Sequence, residues 1–307
     1  MNEKVSVLQV DNLSVSFSMY NKGLSKRDLE VIHELSIDVK KGEIVAVVGS
    51  SGSGKSLLAH AIMGILPENS KTKGSIKYYN DELNEKYLRK VRGKDIAFIP
   101  QSVDFLDPLM KVGKQVVGIN GNKERQKEVF KKYNLDDKVA EMYPFQLSGG
   151  MARRVLIATA VMNEAKLIIA DEPTPGLNLE LAMETLNNFR EIADSGCGVL
   201  LITHDLDLAL NVADRIAVFY SGTIVEIAQV EDFIKGKDAL RHPYSKAFID
   251  ALPQNKFKEL PGYQPYAGNL PKGCLFRDRC SLKTDECCME IKMRKIRDGE
   301  VRCINAT

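Results

Sequence analysis

The sequence predicts an α/β protein with a mostly parallel core sheet, an N-terminal antiparallel β subdomain, a helical subdomain and an irregular, cysteine-rich C-terminal extension. Three apolar runs, at residues 44–49, 167–171 and 199–203, are continuous rather than alternating, which is typical of strands buried on both faces of a sheet. Helical patterns stand between these runs, and strands that alternate with helices favour a parallel α/β sheet. Five of the six cysteines follow residue 273, which sets the C-terminal part of the chain apart.

The antiparallel subdomain is predicted from two segments near the N-terminus. Residues 5–17 and 31–39 alternate apolar and polar side chains, as half-buried strands do. A polar stretch at residues 21–30 is expected to join them as a loop. Residues 56–66 predict a helix that ends before Pro67, because proline cannot continue a helix. Two further strands are predicted at residues 75–79 and 95–100.

The helical subdomain is expected at about residues 102–165, where helical patterns dominate. It includes a charged segment at residues 123–132 and a helix that begins at Ser148. A longer helix is predicted at residues 179–194. The dipeptide Ser221-Gly222 is a plausible hairpin turn between two further apolar strands.

The composition is that of an ordinary soluble domain rather than of a strongly charged or membrane-spanning protein. At 307 residues the chain can bury one large core with a small appendage, and we expect a main domain at residues 1–250 and an extension with little core at 251–307. The net charge of +2 predicts no nucleic-acid partner. No apolar run approaches the roughly 20 residues that span a bilayer, and the start lacks a secretory signal. We therefore expect a cytoplasmic protein with reduced thiols.

A phosphate-binding loop follows the first continuous apolar run. It consists of Gly49, Ser50, Ser51, Gly52, Ser53, Gly54, Lys55 and Ser56. The glycines let successive backbone N–H groups point at phosphate oxygens. Lys55 is expected to reach the β- and γ-phosphates of a nucleotide, and Ser56 to bind Mg²⁺. A chance Gly/Ser-rich turn is the alternative, and the strand before the loop and the helix after it argue against that reading.

Candidate catalytic residues follow the other buried strands. Asp171 ends one apolar run and is expected to hold Mg²⁺ directly or through water. Glu172 comes next and is expected to polarise the attacking water. His204 follows residues 199–203 and is a candidate to contact the γ-phosphate and help hold that water. Gln101, after the strand at 95–100, is a candidate to sense Mg²⁺ or the water. The alternative for Asp171 and Glu172 is an ordinary strand end whose acidic residues lead into a turn.

A second glycine-rich loop opens the helix that begins at Ser148. It reads Leu147-Ser148-Gly149-Gly150-Met151. Lys55 is expected to bind the phosphates of the nucleotide held by its own chain. Ser148, Gly149 and Gly150 are therefore predicted to face the ATP held by another subunit. Ser148 also suits a helix N-cap, and the two readings are compatible because a capped N-terminus aims its N–H groups.

The order of these motifs resembles the ATPase subunits of ABC transporters over residues 5–235. The resemblance implies that two such subunits close head-to-tail over two ATP molecules and open after hydrolysis. It implies that Phe17, or alternatively Tyr20, stacks on adenine, and that residues 105–115 receive a helix of the membrane subunit. The family usually has an aspartate where this chain has Asn178, so coupling between the two ATP sites is expected to differ.

A narrower resemblance lies in the C-terminal part of the chain. Residues 242–246, 273–280 and 301–303 are similar to the signature of oligopeptide, dipeptide and nickel importer ATPases. The resemblance implies a second, usually non-identical ATPase subunit, two transmembrane permease subunits, an extracellular solute-binding protein and a peripheral position on the cytoplasmic face of the membrane. The expected cargo is a peptide. Nickel or a metal chelate is the alternative, and a soluble ABC ATPase acting on DNA or ribosomes is the alternative from another class.

The cysteine cluster comprises Cys274, Cys280, Cys287 and Cys303, with five, six and fifteen residues between successive members. Four thiolates can hold zinc or an iron–sulfur cluster. From the residues alone, zinc, iron–sulfur and unliganded thiols all stay open. The family resemblance implies a four-iron–four-sulfur (4Fe-4S) cluster, with Cys287 rather than Cys288 as the ligand. Cys197 lies between a helix and a strand and is expected to fill the core.

Overall fold

The computed structural model describes residues 5–20, 25–118, 121–252, 255 and 257–306. The strands are β1 Ser6–Tyr20, β2 Lys26–Lys40, β3 Ile44–Val48, β4 Ser70–Tyr78, β5 Asp81–Glu82, β6 Ile96–Ile99, β7 Leu167–Asp171, β8 Gly198–Thr203, β9 Arg215–Tyr220, β10 Thr223–Gln229, β11 Arg294–Ile296 and β12 Gly299–Val301. The helices are α1 Lys55–Met63, α2 Glu85–Val91, α3 Val112–Val117, α4 Lys123–Lys132, α5 Gly149–Val161, α6 Leu179–Asp194, α7 Leu206–Leu210, α8 Val230–Ile234 and α9 Pro243–Asp250. No helix within the described ranges is long and apolar enough to cross a membrane.

The N-terminal sheet has the strand order β2-β1-β4-β5 and is antiparallel, as predicted. The predicted loop at residues 21–30 is wrong for its second half, because β2 begins at Lys26; residues 21–24 lie outside the described part. The ladder pairs Ser18 with Asp28 and Tyr20 with Lys26. A strand needs only paired backbone groups, so a polar segment can extend it at the surface, where Asp28 also binds Lys71 at 2.7 Å.

The main sheet has the strand order β11-β12-β10-β9-β3-β8-β7-β6, and its central strands β9, β3, β8, β7 and β6 are parallel. All five residues of β3 are buried. Ile44, Ala46 and Val48 face the core that holds α5 and α6. Val45 and Val47 face the core shared with α1 and the N-terminal sheet. The continuous apolar run therefore reflects burial on both faces, as predicted.

The C-terminal extension contributes more to the core than the sequence suggests. It consists largely of turns and short 3-10 segments, but β12 pairs with β10 and continues the main sheet. Phe276, Cys287 and Val301 are buried. The extension is therefore attached to the main sheet, because β12 covers an edge of β10 that would otherwise expose unpaired backbone groups.

Candidate nucleotide site

The phosphate loop connects the end of β3 to the start of α1, where the sequence predicted it. Gly52 and Gly54 have φ values of +73° and +104°, a left-handed region that glycine adopts without strain. Gly49 lies so close to β9 that a Cβ atom there would come within 2.5 Å of the Phe219 carbonyl oxygen. The loop therefore requires glycine at these three positions for its turn and its packing.

Lys55 points its ammonium group back into the loop. Its Nζ donates hydrogen bonds to the carbonyl oxygens of Gly49 at 2.9 Å and Ser50 at 3.0 Å. Burial lowers the pKa of Lys55, while the nearby carboxylates of Glu172 and Asp171 raise it. The hydroxyl of Ser53 is buried without a hydrogen-bond partner among the described residues. A buried cation and an unsatisfied hydroxyl in one glycine-rich loop form a site suited to an anion.

Ser56 and Asp171 meet beside this loop. The Ser56 hydroxyl donates to Oδ1 of Asp171 at 3.1 Å, which joins α1 to the end of β7. Asp171 is 1% exposed, and burial raises its pKa although the Ser56 hydrogen bond lowers it. A hydroxyl and a carboxylate at this position are the oxygen donors that Mg²⁺ prefers, so the residues present fit the ion.

Glu172 and His204 form a pair at the ends of β7 and β8. Nδ1 of His204 lies 2.9 Å from both carboxylate oxygens of Glu172, which is itself buried. The Glu172 backbone has a φ of +47°, a conformation that costs a non-glycine residue about 1 to 3 kcal/mol. Its N–H donates to the Ile202 carbonyl at 2.9 Å, which helps hold it there. The structure therefore places these two predicted residues together, on a strained backbone of the kind found at functional sites.

Gln101 follows β6 and is exposed. Arg153 of α5 donates hydrogen bonds to the carbonyl oxygens of Pro100 and Gln101 and so holds the turn that follows β6. Burial lowers the pKa of Arg153, and the charges of Asp171 and Glu172 raise it, so the guanidinium lies within electrostatic reach of both acids. Arg153 was not predicted from the sequence. The signal that could have identified it is its position, two residues after Met151, the last residue of the second glycine-rich loop.

The second glycine-rich loop lies at the surface. Ser148 accepts a hydrogen bond from the Met151 N–H at 3.3 Å and caps α5, as predicted. A Cβ atom at Gly149 or Gly150 would meet nothing within 4 Å. Within the described ranges, no hydrogen bond or ion pair joins this loop to the phosphate loop. The loop is open to another molecule.

Comparisons with known proteins agree with this geometry. The model of the ABC transporter family matches residues 32–175, and that of the oligopeptide/dipeptide transporter C-terminal region matches residues 225–287. The dipeptide transport ATP-binding protein DppD of Haemophilus influenzae is 33% identical, over 97% of this chain and 95% of its own. The chain belongs to the ABC transporter ATPase family. The oligopeptide transport ATP-binding protein OppD of Bacillus subtilis is 34% identical, over 90% of this chain and 81% of its own.

Solved structures show the same fold. The dimeric bacterial ABC transporter cassette MJ0796 superimposes with a TM-score of 0.65 at 26% identity, over 73% of this chain and 98% of that one. The same cassette in a dimeric post-hydrolysis state with ADP and Pi gives a TM-score of 0.64 at 25% identity, with the same coverage. The predicted α/β fold of an ABC ATPase is thus confirmed.

The remaining predicted residues of this ABC ATPase lie at its edges. Phe17 is half-buried on β1, while Tyr20 is 70% exposed with the Lys26 ammonium 5.4 Å above its ring. Both stay candidates for stacking on adenine. Asn178 accepts from the Leu181 N–H at 2.9 Å and caps α6. The substitution for aspartate therefore keeps the cap and removes only the charge.

The prediction of a metal centre at the cysteines is not supported. Among the residues that the structure describes, no group of three or more His, Cys, Asp or Glu side chains is arranged to hold a metal ion. Burial, together with the nearby Cys303, Cys287 and Cys280, raises the pKa of Cys274 to about 11, so this thiol lies near the other three. Cys280 and Cys287 accept hydrogen bonds from the backbone N–H groups of Leu282 and Thr284. Cys197 packs in the core, as predicted.

Proposed function

We propose that this chain is the ATP-hydrolysing subunit that energises a membrane importer for dipeptides or oligopeptides. The observation that carries the proposal is the convergence of Lys55, the Ser56–Asp171 pair and the Glu172–His204 pair at the ends of β3, β7 and β8. The cargo is inferred from the relatives, which are named for dipeptide and oligopeptide transport.

In this proposal the phosphate loop binds ATP. The backbone N–H groups of residues 49–56 and the Lys55 ammonium hold the β- and γ-phosphates, and Phe17 or Tyr20 stacks on the adenine. Ser56 and Asp171 would hold Mg²⁺, with Gln101 beside them as a further candidate. When bound, Mg²⁺ would supply positive charge against the phosphate oxygens.

Glu172 is proposed as the catalytic base. It takes a proton from a water molecule whose oxygen attacks the γ-phosphorus, while the bond to the bridging oxygen of ADP breaks. His204 restrains the orientation of the Glu172 carboxylate, because its Nδ1 lies 2.9 Å from each of the two carboxylate oxygens. Asp171, one residue earlier, is already bonded to Ser56 and is left for the metal.

The second glycine-rich loop is proposed to complete the site of a neighbouring ATPase subunit. Ser148, Gly149 and Gly150 lie at a capped helix N-terminus and, among the residues that the structure describes, make no hydrogen bond or ion pair with the phosphate loop of their own chain. The structurally similar cassette MJ0796 forms a dimer. We infer head-to-tail pairing with a second, non-identical ATPase subunit, in which Asn178 lowers the negative charge near the opposite site.

An exposed apolar patch is proposed to receive the membrane subunits. Its residues are Phe105, Leu109, Met110 and Phe145, exposed by 55%, 88%, 41% and 75%. Beside it, Met110, Lys111, Lys114 and Glu141 border a cavity of about 750 Å³. A helix of a permease subunit can bury these exposed apolar side chains, since apolar patches on a surface often mark sites of protein–protein interaction. The chain would then lie peripherally on the cytoplasmic face, with two permeases and an extracellular solute-binding protein.

The C-terminal extension, residues 251–307, is proposed to bind a metal centre when its thiols are deprotonated. Cys274, Cys280, Cys287 and Cys303 are the four candidate sulfur donors, and the resemblance to importer ATPases implies a 4Fe-4S cluster there, with zinc as the alternative. Anaerobic purification followed by iron, sulfide and zinc analysis tests this. Protein with neither metal, and without absorption in the visible range, would remove the proposal.

Uptake measurements test the function. In cells whose only copy of this chain is the Glu172→Gln variant, labelled dipeptide should no longer accumulate, while the Glu164→Gln variant at an exposed position should transport normally. Loss of nickel uptake alone would transfer the assignment to a nickel importer. Unchanged uptake of both would show that the chain acts on another solute or outside transport.

A further inference from the structure

A residue of the C-terminal extension touches the phosphate loop. The hydroxyl of Ser50, the second residue of the loop, donates to Oε1 of Gln264 at 3.2 Å across 214 positions of sequence. Nε2 of the same amide is buried without a hydrogen-bond partner. Exchanging the amide oxygen and nitrogen would leave the other atom without a partner, so one end of this amide is unsatisfied in either orientation.

The segment around Gln264, residues 260–269, is held on several sides. The Ser221 hydroxyl donates to the Pro265 carbonyl at 3.3 Å. Arg27 at the start of β2 donates to the Gly268 carbonyl. The 260–269 segment therefore contacts the phosphate loop through Gln264, the turn between β9 and β10 through Pro265, and the N-terminal sheet through Gly268.

Arg279 connects this segment to the cysteines. Its guanidinium donates to the carbonyls of Pro261 at 2.9 Å and Leu260 at 3.0 Å and to the Tyr220 hydroxyl at 3.3 Å. It lies 6.0 Å from the Tyr220 ring centre. Arg279 immediately precedes Cys280, so its position depends on the fold of the cysteine-rich part.

We propose that the 260–269 segment is part of the ATP site, with Gln264 as a positioning residue for the phosphate loop and Arg279 as the anchor of the segment. The inference rests on the proposed role of that loop in binding ATP. Phosphate loops bind through backbone N–H groups whose directions must be fixed. Ser50 is exposed, and its hydrogen bond to Gln264 adds a restraint from the 260–269 segment to those that Lys55 and Tyr244 supply.

Binding of a fluorescent ATP analogue to the purified full chain tests the proposal. The Gln264→Leu variant replaces the amide by an apolar branched side chain one atom shorter, and it should bind about three- to tenfold more weakly, as expected for one lost hydrogen bond. In the assembled transporter KM for ATP should rise by the same factor, with kcat within about twofold. The Gln264→Glu variant should bind still more weakly at low salt, because it places a negative charge beside the phosphates.

Arg279→Gln should weaken binding like Gln264→Leu. Arg277→Gln is its matched control, because Arg277 bonds to Lys272 and Cys288 and not to the 260–269 segment. Tyr263→Ala controls for mutation within the segment, since Tyr263 is 95% exposed. Hydrogen exchange should quicken at the amides of residues 49–54 in Gln264→Leu and stay unchanged in β7 and β8.

Lys55→Ala separates the two ways of failing. If Lys55→Ala binds the analogue as tightly as the wild type, the proposed nucleotide site is wrong. If Lys55→Ala loses binding while Gln264→Leu and Arg279→Gln bind normally, the positioning role is overturned. If hydrogen exchange of β7 and β8 shows that Gln264→Leu is unfolded, the Gln264→Met variant replaces it. Its ATP-analogue binding is then judged by the same comparison with Lys55→Ala and the wild type.

Discussion

The most demanding stability prediction concerns the ion pair that joins α9 to the C-terminal strands. Glu226 of β10 is 0% exposed and accepts the N–H groups of Arg241 and His242, each at 2.8 Å. The Arg241 guanidinium, 1% exposed, lies 3.4 Å from Glu226 and 2.9 Å from Asp232. Its Nε donates to the Ile296 carbonyl of β11 at 2.7 Å. The perturbation is Arg241→Met, which keeps most of the volume and removes the cation.

The expected cost follows from these contacts. Removing one partner of a buried pair leaves an uncompensated buried charge, which typically costs about 3 to 5 kcal/mol. Here Glu226 keeps two backbone N–H donors, so we expect about 3 kcal/mol, the lower end of that range. The double variant Arg241→Met/Glu226→Gln removes both charges. It should recover only part of the loss, because a neutral amide tolerates burial better than an unpaired carboxylate but has a single oxygen to accept the two backbone N–H groups that bind separate oxygens of Glu226.

Urea unfolding monitored by circular dichroism measures these free energies. The control is Arg89→Met, whose ion pair with Glu85 is exposed and should contribute less than about 1 kcal/mol. Hydrogen exchange should show β11 and β12 opening first in Arg241→Met. A loss below 1 kcal/mol, or strictly additive single and double variants, would refute the reasoning that the pair is coupled and buried.

Three further predictions concern single residues. His204→Ala should lower kcat by about 10²-fold with little change in KM, measured by ATPase assay, because Glu172 loses the imidazole that positions it. Burial lowers the pKa of His242 to about 3, so the unfolded chain binds the extra proton between about pH 6.5 and 3. Stability should therefore fall with falling pH across this window, by at most about 1.4 kcal/mol per pH unit from this group, and the slope measured by urea titration should shrink in His242→Asn. Asn178→Asp should leave the unfolding free energy within about 0.5 kcal/mol, because both residues cap a helix, so any change in ATPase rate of the assembled transporter would come from charge.

The sequence predicted those parts of the fold and site that depend on short stretches of chain. The runs at β3, β7 and β8 are apolar because both faces are buried, and that pattern is visible in five or six residues. Lys55, Asp171 and Glu172 follow directly from these runs, because parallel strands end at the same edge of the sheet. Their convergence required only that the strands be neighbours, which motif order alone already suggested.

Features that depend on distant partners could not be predicted in the same way. The segment Arg294–Ile296 has no strand-like alternation, and it becomes β11 only because β12 pairs with it beside β10. Arg153 reaches a turn 52 positions earlier, and Gln264 reaches Ser50 across 214. A glutamine or an arginine in isolation carries no signal of such a contact, because its chemistry suits any carbonyl or hydroxyl nearby.

The C-terminal extension contacts the main domain through Arg241 and through Gln264, and we expect these two contacts to have separate effects on stability and on ATP binding. Arg241 holds β11 through the Ile296 carbonyl and makes no hydrogen bond or ion pair with the 260–269 segment within the described part of the chain. Gln264 touches Ser50 and contributes little burial. Arg241→Met should then lower the unfolding free energy while the folded protein binds ATP normally, and Gln264→Leu should weaken ATP binding while unfolding is nearly unchanged. Were both variants to lose stability and ATP affinity together, the extension would act as one cooperative unit, and the contact at Ser50 would be a consequence of its folding rather than a separate determinant of the ATP site.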